Sequence, residues 1–317
     1  MQPREAIASL QLLVAVAKAD GKIETSEREA LEDSLKDLTL PVDYSIDKLL
    51  SQEVVLEAVI NEVKAPEAQK AAFKSAYLLA HADGHFAKEE QHLLSMLQQR
   101  WNISNEEVTE LNNSVNIANA TVTSNVATVD TSERGAVVQK TIRNYLILTS
   151  LAGAIPIPLI GDLMVIPLQM KMMMDLGKIY GFNLDKTTVK AMLGSLGVGT
   201  GARIAVSSLA KLVPGWGSVV GATAAFSTTY ALGNVATQYF ESGGNLSIDS
   251  FKKAFQEKKE EGKKEYEKSR SQIEGNKEVA KQLEDLGKAL KAGKITQGQY
   301  DEEVNKINSS ILILFNQ

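Results

Sequence analysis

No cysteine occurs in the 317 residues. That excludes a disulfide framework, a thiolate zinc site and a cysteine nucleophile, and it fits a reducing interior. A basic excess is also missing. The net charge is −5, so nothing resembles a nucleic-acid footprint, and nucleic acid is not an expected partner. Glycines at 194, 197, 199 and 201 invite comparison with a phosphate loop, but no G-x-x-x-x-G-K-[ST] is present, and nucleotide binding there is set aside. No secretory signal opens the chain. MQPREAIASLQLLVAVAKADGK has only a short apolar run and reads as an amphipathic helix, so the mature chain is expected to start at Met1 in the cytoplasm. No set of residues reads as an enzyme active site, and the chain is expected not to be an enzyme.

What is present is uneven in charge. Residues 1–110 carry −9, residues 111–248 carry +3 and residues 249–317 carry +1. An acidic head repels anionic lipid and attracts cations or basic partners. Within it, Ile7, Leu10, Leu13, Val14 and Ala17 recur at helical spacing, and Ala30, Leu31, Leu35 and Leu38 do so again. Between them stands Ala19-Asp20-Gly21-Lys22-Ile23-Glu24-Thr25-Ser26-Glu27. A second break, Ala82 to Glu90, repeats it 63 residues later between the helical runs Phe73–Ala80 and Leu93–Leu97. Each has Asp-Gly, an apolar residue two positions on, and Glu seven positions after the Asp. One helix–turn–helix unit is duplicated.

Two readings of these turns stand side by side. In one, glycine ends a helix, Ile23 or Phe86 tucks between helices, and Glu27 or Glu90 favours the amides of the next first turn. In the other, Asp20, Glu27, Asp83 and Glu90 converge and bind a hard divalent cation such as calcium through oxygen. His81 and His85 flank the second turn and read as surface residues. A metal-dependent hydrolase would need these carboxylates in a pocket, whereas they sit where helix capping already accounts for them. AKADGKIETSERE and AHADGHFAKEEQ resemble the TerB-like family of tellurite-resistance proteins. That resemblance covers about residues 5–105. It implies an all-helical domain, proposed in some members to bind metal. Glu24 and Ala87 depart from the family's usual Ser, Thr or Asp at the cap before the second helix.

Residues 106–138, rich in Asn, Thr, Ser and Val, read as a linker, with a short helix at Asn105–Val115 and the alternation of ATVTSNVATV as the one hint of a strand. An apolar domain at 139–248 follows. Tyr145–Gly161 is 17 residues without a charge and Leu212–Phe240 is 29, so a membrane hairpin is possible on length. Its connecting loop would carry Lys171, Lys178, Lys186, Lys190, Arg203 and Lys211 against Asp175 and Asp185, which offends the positive-inside tendency. Pro156, Pro158, Pro167 and Pro214 would break long helices. Several shorter helices fit better, with Leu163–Tyr180 apolar on nearly every face and its methionines filling a core. Gly217 and Gly221, extended by Gly233, form a small-residue face that lets helices approach closely in lipid or in a protein core. AIPIPLIGDLMVIPLQMKMMMDLGKIYGF and the run GSLGVGTGARIAVSSLAKLVPGWGSVVGATAAFSTTYALGNVATQYFESGG resemble the domain of unknown function 697 of YcjF-like inner-membrane proteins. That resemblance implies membrane association or partnership with a GTPase, which would be a separate protein here.

Residues 249–275 read as a solvated helix with a narrow apolar edge at Phe251 and Phe255. Residues 276–317 read as a helical hairpin, with Thr296-x-x-Gln299 a capping box for its second helix. EDLGKALKAGKITQGQYDEEVNKI resembles the SHOCT-type C-terminal module, which implies an oligomerising tail. So small a pair of helices needs a partner surface, on its own chain, on a second copy or on lipid. The expectation is therefore an all-α, multi-domain, membrane-associated adaptor or stress-response protein. Its place would be the cytoplasmic face of the inner membrane, its likely-sized partners a membrane surface, a membrane protein or a second copy. The alternative is a cytoplasmic helical scaffold with its apolar middle buried internally.

Overall fold

The computed structural model describes residues 2–18, 31–32, 35, 46–51, 54–80, 88–118, 129–155, 160–198, 206–207, 210 and 218–314. Among them are thirteen helices and no strand, so the chain is all-α. It divides into two compact units. One comprises Met1–Asn116, Pro156–Asp162 and Gly197–Val220; the other comprises Ile117–Ile155, Leu163–Leu196 and Gly221–Gln317.

In the first unit, α1 (Pro3–Ala17) is the hub. Its Ile7, Leu10, Leu13, Val14 and Ala17 are all buried, as their spacing requires. It packs against α2 (Ile46–Ser51), α3 (Leu56–Glu62) and α4 (Pro66–Ala80). Pro3 suits a first helical turn, where its missing N–H costs nothing. Glu5 does two jobs from that turn. One carboxylate oxygen accepts from the Gln2 N–H at 3.0 Å, closing the start of α1. The other accepts from the N–H groups of Lys64 and Ala65 at 3.0 and 2.8 Å, satisfying amides just ahead of α4.

Helix α5 (Lys88–Arg100) packs on α4, and Leu93, Leu94 and Leu97 form its buried edge. After it, Asn102 takes φ +50°, a left-handed turn that asparagine tolerates. A reciprocal capping box between Ser104 and Glu107 starts α6 (Asn105–Ala118). Tyr77 of α4 donates to Asn112 at 2.6 Å, Lys70 pairs with Glu107 at 3.1 Å, and Leu111 is buried. The acidic head thus continues through α6, past residue 105, into what reads as linker in the sequence. Residues 119–128, with most of the alternating stretch, lie outside the described residues.

The second unit is built around α7 (Thr131–Ala154), with α8 (Ile160–Ile179), α9 (Lys186–Ser195) and α10 (Ser218–Glu241) completing the apolar part. Then come α11 (Ile248–Glu274), α12 (Lys277–Lys291) and α13 (Gln297–Leu314), all three of which pack on α7. The charged helix and the hairpin therefore share one unit with the apolar block. The hairpin's partner surface is its own chain. Along α11, Phe251, Phe255, Tyr266 and Ile273 face inward, while Lys258–Glu261, Lys263–Glu260 and Arg270–Glu274 pair along the outside. Thr296 and Gln299 exchange the two bonds of a capping box ahead of α13.

Proline reads differently from expectation at one place. Pro167 lies inside α8, which runs unbroken across it. A proline there removes one N–H donor, and the buried residues on either side, Met164, Leu168, Met170 and Met172, hold the helix together by packing. Among the described residues, no helix is long and apolar enough to cross a membrane.

Candidate functional site

The acidic turns come first. Asp20, Glu27 and Asp83, with His81 and His85, lie outside the described residues. Glu90 is described. It sits in the first turn of α5 beside Glu89, where a carboxylate favours the exposed amides. Among the described residues, no three His, Asp or Glu side chains come together as a metal site.

The glycine-lined packing face sits in the second unit. A Cβ on Gly153 of α7 would lie 2.6 Å from the Gly221 carbonyl oxygen and 2.7 Å from the Ala225 Cβ. A Cβ on Gly233 would meet Ile142 at 2.9 Å. So α7 and α10 approach at distances that admit only hydrogen at those positions. Helix α11 comes as near to α10, since a Cβ on Gly262 would stand 2.9 Å from the Ser227 Cα. Gly217, Pro156 and Pro158 lie outside the described residues.

Between α7, α8 and α10 runs a buried polar seam that sequence reasoning missed. Lys171 and Asp175 stand one turn apart on α8, their side chains 5% and 4% exposed. The Lys171 ammonium lies 3.7 Å from Asp175 Oδ1. The Tyr145 hydroxyl of α7 donates to Asp175 Oδ2 at 2.6 Å. Burial, and then the Asp175 charge, push the Tyr145 hydroxyl well above the ordinary tyrosine range, so it remains a donor. One turn on, Thr149 Oγ1 donates to the Tyr145 carbonyl at 2.7 Å. Thr229 Oγ1 of α10 lies 2.9 Å from it, and Gln169 Nε2 donates to Thr229 at 3.1 Å.

Taking these charges out of water costs several kcal/mol per ion, and each group is partly compensated by its neighbours in the seam. What the arrangement does chemically is fix register. Sliding α8 by one turn against α7 would separate Tyr145 from Asp175. Asp301 on α13 is the outlying member. It is half-buried, accepts from Gln297 Nε2 at 2.9 Å, and feels the Lys171 charge; burial pushes its carboxyl up from the usual carboxylate range. The signal was available. A Lys–Asp pair at i, i+4, set among Met170 and Met172–Met174 in a helix apolar on nearly every face, has no solvent side to occupy. The sequence reading counted both as loop charges instead.

Residues 1–115 match the family described as "Protein of unknown function (DUF533)", over the segment that carries the TerB-like resemblance. The chain is also 33% identical over 147 residues to "Magnetosome membrane protein 22" of Magnetospirillum gryphiswaldense; the match takes in 43% of this chain and 75% of that protein. No solved structure matches. At that identity and coverage, the chain belongs to the family of the magnetosome membrane protein, and its acidic head carries the DUF533 match.

Proposed function

We propose that this protein is a non-enzymatic adaptor that works at a membrane surface. The observation that carries the reading is its kinship with a protein whose name places it in the magnetosome membrane. The interior of the second unit supports it. Its titratable groups, Tyr145, Lys171 and Asp175, face one another and hold helices in register, which suits a rigid platform. In this reading the acidic head binds a divalent cation such as calcium through Asp20, Glu27, Asp83 and Glu90, and the chain acts with a membrane protein or a second copy of itself. Fractionation of cells making the full chain tests it. The adaptor sediments with membranes and is released in part by carbonate; a protein wholly in the supernatant at every ionic strength refutes the reading. Calorimetric titration of the full chain with calcium tests the head, where Asp20→Asn with Asp83→Asn should abolish the heat of binding. Unchanged binding in that variant rules the site out.

A second reading has its own observation. Leu148, Leu151, Ala231, Leu232, Val235 and Ala236, drawn from the two apolar runs, are all buried within one unit. That favours a helical scaffold that partners a separate protein, such as a GTPase, without lipid. Monodisperse purification free of detergent, together with absence from the membrane pellet, is its signature.

A further inference from the structure

Helix α13 is the least satisfied element of the second unit. Six buried side-chain polar atoms have no hydrogen-bond partner among the described residues, and three belong to it: Gln297 Oε1, the Tyr300 hydroxyl and Asn308 Oδ1. Tyr300 is fully enclosed, and Asp301 beside it is half-buried. A buried donor or acceptor without a partner regains its hydrogen bonds when the surface opens to water, so each one favours release. The apolar side of the same helix is strong. Tyr300, Val304 and Ile307 are buried where α13 meets α7 and α12. In the sequence the same spacing continues through Ile311 and Leu314, and the chain there reads Ile311-Leu312-Ile313-Leu314-Phe315. Elsewhere among the described residues, the one large apolar side chain open to solvent is Val55. A lipid surface therefore finds little to hold unless something moves.

We propose that α13 is a releasable latch: it leaves α7 and α12 as a unit and inserts its apolar stripe, from Tyr300 to Phe315, into a lipid surface. This rests on the membrane reading above and names its anchor. The polar side of the helix carries Asp301, Glu302 and Glu303 against Lys306. That negative balance suits a zwitterionic surface and disfavours an anionic one.

Hydrogen exchange and vesicle flotation on the full chain test it. Amides across Gln297–Ile307 should exchange faster than those of α10, by opening below the global level. Tyr300→Phe removes the enclosed hydroxyl, so it should slow that exchange and lower binding to phosphatidylcholine vesicles about fivefold. Ile311→Glu with Leu314→Glu should lower binding about tenfold. Exchange in α13 as slow as in α10, or vesicle binding that neither variant alters, overturns the latch even where the intact chain sediments with membranes. A chain that binds vesicles through α13 but stays in the cellular supernatant keeps the latch and refutes the adaptor's place in the cell.

Discussion

The Tyr145 hydroxyl on α7 lies 2.6 Å from the Asp175 carboxylate on α8, deep inside the second unit. The carboxylate also faces Lys171, so one oxygen serves a neutral donor and the other a charge. Removing the carboxylate alone leaves the buried ammonium short of this counter-charge. Asp175→Asn is expected to cost about 3–5 kcal/mol. Replacing the whole constellation by Tyr145→Phe, Lys171→Met and Asp175→Leu should cost less than that single change, because no buried charge is left behind. Urea unfolding of the three-site variant and the single variant decides it. A three-site variant less stable than Asp175→Asn would mean that the seam stabilises the unit outright.

The α7–α10 contact makes a sharper forecast at Gly153. A methyl group there would collide with the Gly221 backbone oxygen at 2.6 Å, and backbone cannot rotate out of the way. Gly153→Ala should destabilise by about 1–3 kcal/mol or more. Gly135, on the same helix, has nothing near its missing Cβ. Gly135→Ala should stabilise by about 0.5–1 kcal/mol, the ordinary helical preference of alanine. Thermal melts of the two variants should move in opposite directions.

Glu5 ties α1 to the start of α4, and its charge is part of the tie. The N–H of Ala65 and then, against the cost of burial, those of Gln2 and Lys64 hold its carboxyl below the ordinary 4.5. A depressed carboxyl stabilises the fold fully above its unfolded value, and that stability drains away as the pH falls through the folded one. The first unit should therefore lose stability below about pH 4.5, a loss that Glu5→Gln should flatten. Glu5→Ala should cost about 1–3 kcal/mol at neutral pH, having stranded those amides. Urea midpoints measured from pH 7 down to pH 3 report both effects.

Much of this fold is legible from local pattern, because local physics decides it. The buried face of α1, the Thr296–Gln299 capping box and the all-helical class follow from spacing and from capping chemistry. Gly221 and Gly233 stand out as small residues, and both lie where α10 meets α7. What the pattern hides depends on partners far along the chain. Lys171 and Asp175 look solvated by composition and are buried, because Tyr145 arrives from 30 residues before Asp175 to share the carboxylate. Pro167 looks like a breaker and is carried by the packing around it. The hairpin's docking on its own α7 rather than elsewhere is likewise a tertiary choice. Of the acidic quartet, Glu90 alone falls among the described residues.

The most direct measurement is the position of the protein in living cells, imaged as a full-length fusion to a fluorescent protein at its N-terminus. A membrane adaptor gives fluorescence along a membrane outline, and Ile311→Glu with Leu314→Glu disperses it. Uniform cytoplasmic fluorescence from the unaltered chain would contradict the account.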